Sequence, residues 1–304
     1  MLDRRHFIVG ALALGGCAPA VVTKPAKRIS VTMDDFHVDF NIRLNARERN
    51  ERILSAFDKH NHKAAGFVTG RFVDSMFGNE VVQSWSDAGH MIGNHTYTHL
   101  NSSDEDSELI KADILKNDEL LSKYAGYEKI FRFPFLAEGG EPEKITDYRS
   151  FMKTHGFQNG AVTIDTIDWY VTSRMEKRLK EDKNADLEPY RDYYVMAVVA
   201  LAEHFQSLAE RIGKPNLPHS MLMHHNILNG LFLDDALTAL KEAGWSMVDA
   251  KEAFEHPLYK LEPKTPTRSR SLISVLAQEQ GIKDTGYPEA YRNWGKKTMD
   301  GLRL

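Results

Sequence analysis

Cysteine is almost missing from this 304-residue sequence, Cys17 being the single one. With no second thiol an internal disulfide is impossible and a structural zinc site built on several thiolates is excluded, so any cation must be held by histidine and carboxylate. Long apolar runs are scarce as well: the N-terminal stretch Phe7–Leu14 is far shorter than the about 20 residues that cross a bilayer. Positive charge is in slight deficit. With 39 Lys and Arg against 43 Asp and Glu, a net charge of -4 and a pI near 6.4, there is no basic field to hold a phosphate backbone. Nucleic acid is thereby excluded as the principal partner. No unit of about 20–50 residues recurs, which argues against a solenoid. What remains, 42% hydrophobic and 27% charged, is the composition of a soluble globular chain.

The first 17 residues stand apart. Arg4 and Arg5 precede the short apolar run, which ends in Gly15, Gly16 and Cys17. A charged start, an apolar centre and small residues at a cleavage point are the parts of an export signal. The Arg-Arg-His-Phe run resembles a twin-arginine signal, and Leu14-Gly15-Gly16-Cys17 resembles a lipobox whose cysteine becomes an acylated N-terminus. The expectation is an exported periplasmic or outer-membrane lipoprotein, with a lipid anchor at Cys17 as its only membrane contact.

Beyond a linker at 24–27 the chain alternates between β-rich runs and helical patterns. The spacing predicts strands at 29–33, 65–69, 90–94, 129–133, 160–164, 220–224 and 245–248. Helices are predicted over 45–60, 107–121, 190–211 and 234–243, the last closing before Gly244. Repeated strand and helix point to an α/β fold with a parallel sheet, open or closed into a barrel. One domain over 28–255 is expected, with a helical insertion at about 171–217 packed on it. The extension 256–304 is polar and aromatic and yields no motif.

In such sheets ligand chemistry gathers at the carboxyl ends of the strands. Here those ends read Thr32-Met33-Asp34-Asp35, then His95-Thr96-Tyr97-Thr98-His99, then Arg132-Phe133-Pro134-Phe135, then Asp165-Thr166-Ile167-Asp168-Trp169, and finally Leu222-Met223-His224 before His225. Singly, each has an ordinary explanation: a turn pair, a surface ion-pair arginine, a helix cap, a core histidine. His95 and His99, four apart, would share one face of a helical turn, which suits metal binding. Their joint occurrence in this order at one sheet edge is what the ordinary explanations leave out.

Together the five segments resemble the polysaccharide deacetylase family, also called NodB homology or carbohydrate esterase family 4, over roughly residues 29–249. The resemblance implies a distorted (β/α)7 barrel and a metal-dependent hydrolase that removes N-acetyl groups from an envelope or extracellular glycan. It implies Asp35, His95 and His99 as ligands of a divalent ion, most often Zn2+. It further implies Asp34 as base, Arg132 as its orienting partner, His224 as acid held by Asp165, the Phe135 N–H as oxyanion donor, and Pro134, Phe135 and Trp169 at the substrate. The chain departs from the pattern at Phe36, where the family usually has glycine, and in the length of the 171–217 insertion. Both are expected to narrow or cover the groove. They bring in the alternatives of an O-acetyl xylan or small-amide deacetylase, beside a catalytically silent glycan-binding lipoprotein. His225 stands open as the acid, although the Leu-x-His spacing favours His224.

Overall fold

The computed structural model describes residues 26–304 except 40 and 266; the first 17 residues, on which the expected export signal and Cys17 fall, lie outside the described residues. Seven strands, β1 (Lys27–Asp35), β2 (Ala65–Val68), β3 (Met91–Asn94), β4 (Tyr127–Phe131), β5 (Gln158–Asn159), β6 (Pro218–His224) and β7 (Trp245–Met247), form one parallel sheet. Their order is β5-β4-β3-β2-β1-β6, with β7 also on β1. β7 takes the first residues of β1 and β2 takes the last, while β6 runs along nearly its whole length.

Helices fill the connections. These are α1 (Ala46–Lys59), α2 (Gly70–Val73), α3 (Met76–Asp87), α4 (Ser107–Leu121), α5 (Pro142–His155), α6 (Asp168–Glu181), α7 (Glu188–Arg211), α8 (Ile227–Glu242), α9 (Ala250–Glu255), α10 (Leu272–Glu279) and α11 (Lys296–Leu302). Local chemistry sets their ends. Asn45 and Glu48 form a reciprocal capping box at the start of α1, and Gly156, at φ 74, closes α5 in the left-handed conformation that glycine adopts without a Cβ clash. α8 begins seven residues before the predicted 234, because Asn226 caps it by accepting the Asn229 N–H.

The predicted strand at 160–164 is absent. That segment crosses from the β4–β5 side of the sheet to β6, so it cannot lie along either neighbour. Gly160 N–H still reaches Phe131 O, whereas Thr163 and Ile164 both donate to Ser220 O and Leu222 donates to Ile164 O. A single bridge, Ile164 with Met221, thus draws the curled sheet toward closure. The fold is the distorted α/β barrel expected, with this seam as its irregular side.

One apolar core unites the parts. It includes Ile29, Val31 and Met33 of β1, Val171, Leu201 and Phe205 of the helical insertion, and Leu272, Tyr291 and Met299 of the C-terminal extension. Each such side chain contributes about 1.5–3 kcal/mol on leaving water, so neither insertion nor extension is a loose appendage. Among the described residues no helix is long and apolar enough to cross a membrane.

Two buried histidines patch gaps in the sheet. Val31 lies between the reach of β7 and that of β2, and its N–H donates to His62 Nε2 at 3.1 Å; the Ala64 N–H donates to His90 Nδ1 at 2.9 Å. Both imidazoles must stay neutral to accept. Burial, the largest influence, pushes His62 down to about 4 and His90 down to about 3 from 6.5. In the unfolded chain they would protonate near 6.5, so their contribution to stability is complete above that pH and drains away as pH falls toward 4 and then 3. The urea midpoint is therefore expected to drop between pH 7.5 and 4.5, and His62→Gln should reduce that slope. An unchanged slope in the variant would refute the assignment.

Candidate active site and cation site

Asp35 ends β1 in a left-handed conformation, φ 78, which turns its carboxylate across the top of the sheet. His95 follows β3, and the loop to His99 is irregular rather than the helical turn that the spacing suggested. Left-handed Thr96 (φ 62) and His99 (φ 61) curl it, bringing the two imidazoles to 5.0 Å between centroids. Side chains behind the loop hold that curl: Asn94 Oδ1 accepts the Thr96 N–H, and Asp113 of α4 accepts both the N–H and the hydroxyl of Thr98. Asp35, His95 and His99 offer ligand atoms within 4.8 Å of one another.

The donor set fits a cation on physical grounds. His95 Nδ1 is tied to the Arg132 carbonyl at 2.8 Å, which fixes the tautomer and leaves the Nε2 lone pair facing the cluster. Asp35 Oδ1 is buried without a hydrogen bond, although His99 Nε2 stands 3.1 Å away. Burial alone would raise the Asp35 pKa; the imidazoles of His99, His224 and His95 outweigh it and hold the group well below the usual carboxylate range. A buried carboxylate oxygen with no donor, between two imidazoles, is the arrangement that a divalent ion completes.

Asp34 sits beside this cluster. Its Oδ1 accepts from Arg132 at 2.5 Å, while Oδ2 lies 3.7 Å from His95 Nε2. Burial pushes Asp34 up to about 6 against the pull of Arg132 and His224. Arg132 is itself buried, and it also donates to Thr32 Oγ1, the Gly160 carbonyl and Ser220 Oγ, with its guanidinium 3.8 Å above the Phe67 ring.

His224 ends β6 and faces the same space. The partner of its Nδ1 is Asp168, at 2.9 Å, and not the expected Asp165. The physical reason is helix phase: Asp168 opens α6, where its carboxylate also receives the His224 N–H, Asn226 Nδ2 and Asn229 Nδ2. Nothing in the motif spacing distinguished the two acids; the amides that mark Asp168 lie some sixty residues further along. Burial opposes a charge on His224, but Asp168, Asp35 and Asp34 together push it up to about 10.

Three other expectations change. Phe36 does not narrow the groove: it is fully buried, 4.8 Å from both Trp85 and His225, because its own left-handed backbone (φ 67) points the ring down into the core. His225 is buried beneath the site with it. Pro134 is buried in the short turn that presents Phe135, whose ring is half exposed and 4.7 Å from His99. The cleft, about 430 Å³, is lined by Asp34, Asp35, His95, His99, Phe135, Leu136, Asp165, Trp169, Leu222 and His224, and also by Ser269, Tyr287 and Trp294. Residues 170–217 of the insertion do not line it. The covering residues come from the C-terminal extension, in which no motif had signalled them.

Comparison with known proteins fits this geometry. Residues 21–158 match the family model for polysaccharide deacetylase. Over 119 residues, 39% of this chain and 40% of the relative, the chain is 31% identical to a peptidoglycan-N-acetylglucosamine deacetylase of Bacillus cereus. A peptidoglycan-N-acetylmuramic acid deacetylase of Bacillus subtilis is 21% identical over 71% of this chain and 68% of its own. The fold is shared with a family 4 carbohydrate esterase of Streptomyces lividans, TM-score 0.50 at 19% identity over 75% of this chain and 95% of that one. It is also shared with a CE4 family pseudoenzyme of Bacillus anthracis, TM-score 0.52 at 22% identity over 76% and 66%. Residues 21–158, a little under half of the chain, are thus similar to a polysaccharide deacetylase domain.

The Asp168 assignment can be read without any reaction. In Asp168→Asn the His224 imidazole, followed by NMR, should titrate well below about 10, whereas in Asp165→Asn it should stay near its starting value. The reverse pattern would restore Asp165 as the partner.

Proposed function

We propose that this protein is a cation-dependent deacetylase acting on N-acetyl groups of an envelope or extracellular glycan. The reading rests on one observation above all. A buried carboxylate, Asp34, has one oxygen fixed by Arg132 and the other aimed at the Asp35, His95 and His99 cluster, while His224 faces the same cleft with its Nδ1 on Asp168. A pure binder would need no such base, orienting arginine and acid.

With one carboxylate and two imidazoles as its ligands, a divalent ion, for which zinc is the best match, would polarise the acyl carbonyl and lower the pKa of a water. Asp34 would take a proton from the attacking water on Oδ2, since Oδ1 is occupied by Arg132. The Phe135 N–H donates to the developing oxyanion. His224 then gives its Nε2 proton to the amine nitrogen as the C–N bond breaks, and Asp168 stabilises the Nδ1 side throughout. Water's oxygen ends on acetate and the glycan keeps a free amine. Phe135 and Trp169 wall the cleft around the acyl group.

Acetate release from N-acetylglucosamine oligomers should disappear on chelation and return with added zinc. Asp34→Asn should lower kcat by about 10²–10⁴-fold with the bound metal content unchanged. Release that survives complete removal of metal would sink the mechanism. O-acetyl xylan, assayed alongside, separates ester from amide preference.

The pH profile should be a bell. Activity rises as Asp34 loses its proton, at or below about 6 once a neighbouring cation favours the charged form, and falls as His224 loses its own, at or below about 10. A flat profile from pH 5 to 10.5 would exclude this pair as base and acid. Export with acylation at Cys17 belongs to the same proposal, and the intact mass of the mature protein from a membrane fraction tests it.

A further inference from the structure

We infer that the C-terminal extension builds a sugar subsite beside the reacting group, with Trp294 as the platform for a second pyranose ring of the glycan and Tyr287 as the residue that positions it. This rests on the glycan reading above. Two arms of the extension rim the cleft. On the Phe135 side, Thr267 Oγ1 and Ser269 N–H both donate to the Leu136 carbonyl. On the other side, Trp294 meets Trp169 at 5.0 Å and 68°, so two indoles form a corner open to the cavity.

The backbone under Trp294 is informative. Asn293 (φ 49) and Trp294 (φ 60) are both left-handed, a conformation costing about 1–2 kcal/mol for each non-glycine residue. Such strain ordinarily accompanies burial of the side chain or function. Here it turns an indole outward, 45% exposed next to Trp169 at 38%. The turn is held from both flanks, by buried Tyr291 before it and buried Met299 after it, and Gly295 lies so close to Tyr193 that a Cβ there would fall 2.1 Å from the hydroxyl. Trp294 is therefore a braced apolar surface left in water at the edge of the cleft. The C–H face of a pyranose, with hydroxyls around its rim, is the chemistry that covers an indole and keeps its polar groups wet.

Asp165, which His224 does not use, lines the cleft together with Tyr287. The Tyr287 hydroxyl donates to the Thr166 carbonyl at 3.4 Å, next in the chain to Asp165, and ties the extension to the wall of the cleft that both residues line. That bond sets the distance between the Trp294 platform and the reacting group.

The experiment is binding of N-acetylglucosamine oligomers, one to five units long, to full-length Asp34→Asn protein by calorimetry, compared with the same protein carrying Trp294→Ala or Trp294→Phe. Trp294→Ala should weaken tetramer binding about tenfold and monomer binding far less, with an unchanged thermal midpoint, and Trp294→Phe should recover most of the loss. In the active protein, Tyr287→Phe should raise KM for the tetramer by a larger factor than KM for a single-ring N-acetyl substrate. Equal tetramer affinity with and without Trp294 would overturn the subsite and leave the deacetylase reading standing. If the parent protein binds no oligomer at all, the glycan reading itself falls, and the subsite with it.

Discussion

A guanidinium enclosed in protein governs the upper half of this barrel. Arg132 leaves β4 and reaches β1, the crossing segment at Gly160 and β6, so its hydrogen bonds join β4 to two strands with which it shares no ladder. Its charge is matched by Asp34 alone among these partners. Loss of either member would leave the other charged and dry, at a cost of about 3–5 kcal/mol. The pair therefore fixes two things at once: how tightly the sheet curls at its irregular side, and which oxygen of Asp34 is free to face the cation ligands. Stability and chemistry are set here by the same bond.

Around that bond the site is layered. Asp35, His95 and His99 lie outermost, each held by a loop whose handedness is reversed at one or two residues. Behind them the amides of Asn94 and Asn117 and the carboxylate of Asp113 fix the His95–His99 loop. On the opposite side Asn226 and Asn229 do the same for Asp168. Neither set touches the cleft, yet both determine where the side chains of Asp35, His95, His99 and His224 point.

Much of this was legible in the sequence, because residue type at a strand end depends on local order that alternation and spacing report. The strands ending at Asp35, Asn94, Phe131 and His224 fall where apolar runs meet polar ones, and the helices over Ala46–Lys59 and Ser107–Leu121 begin at their caps. What escaped depends on direction rather than identity. Asp165 and Asp168 are equivalent in a string of letters, and only the start of α6 decides which meets His224. The segment at 160–164 looks like a strand because it is apolar, but it is consumed in crossing a gap. Tyr287 and Trp294 approach the cleft from more than sixty residues beyond His224, and no periodicity encodes that distance.

Position 36 shows how a backbone preference can be exchanged for packing. At φ 67 a glycine would sit there without a steric penalty; the phenylalanine accepts that cost and in return fills the space under the site between Trp85 and His225. It can do so only because residue 66 of the neighbouring strand is itself a glycine, where any Cβ would lie 2.5 Å from the tip of the ring. The two residues are thus one unit: a methyl at 66 expels the ring, and a glycine at 36 opens a void beneath Asp34 and Asp35. A change at one therefore calls for a change at the other, and the twenty-nine residues between them carry no trace of that coupling.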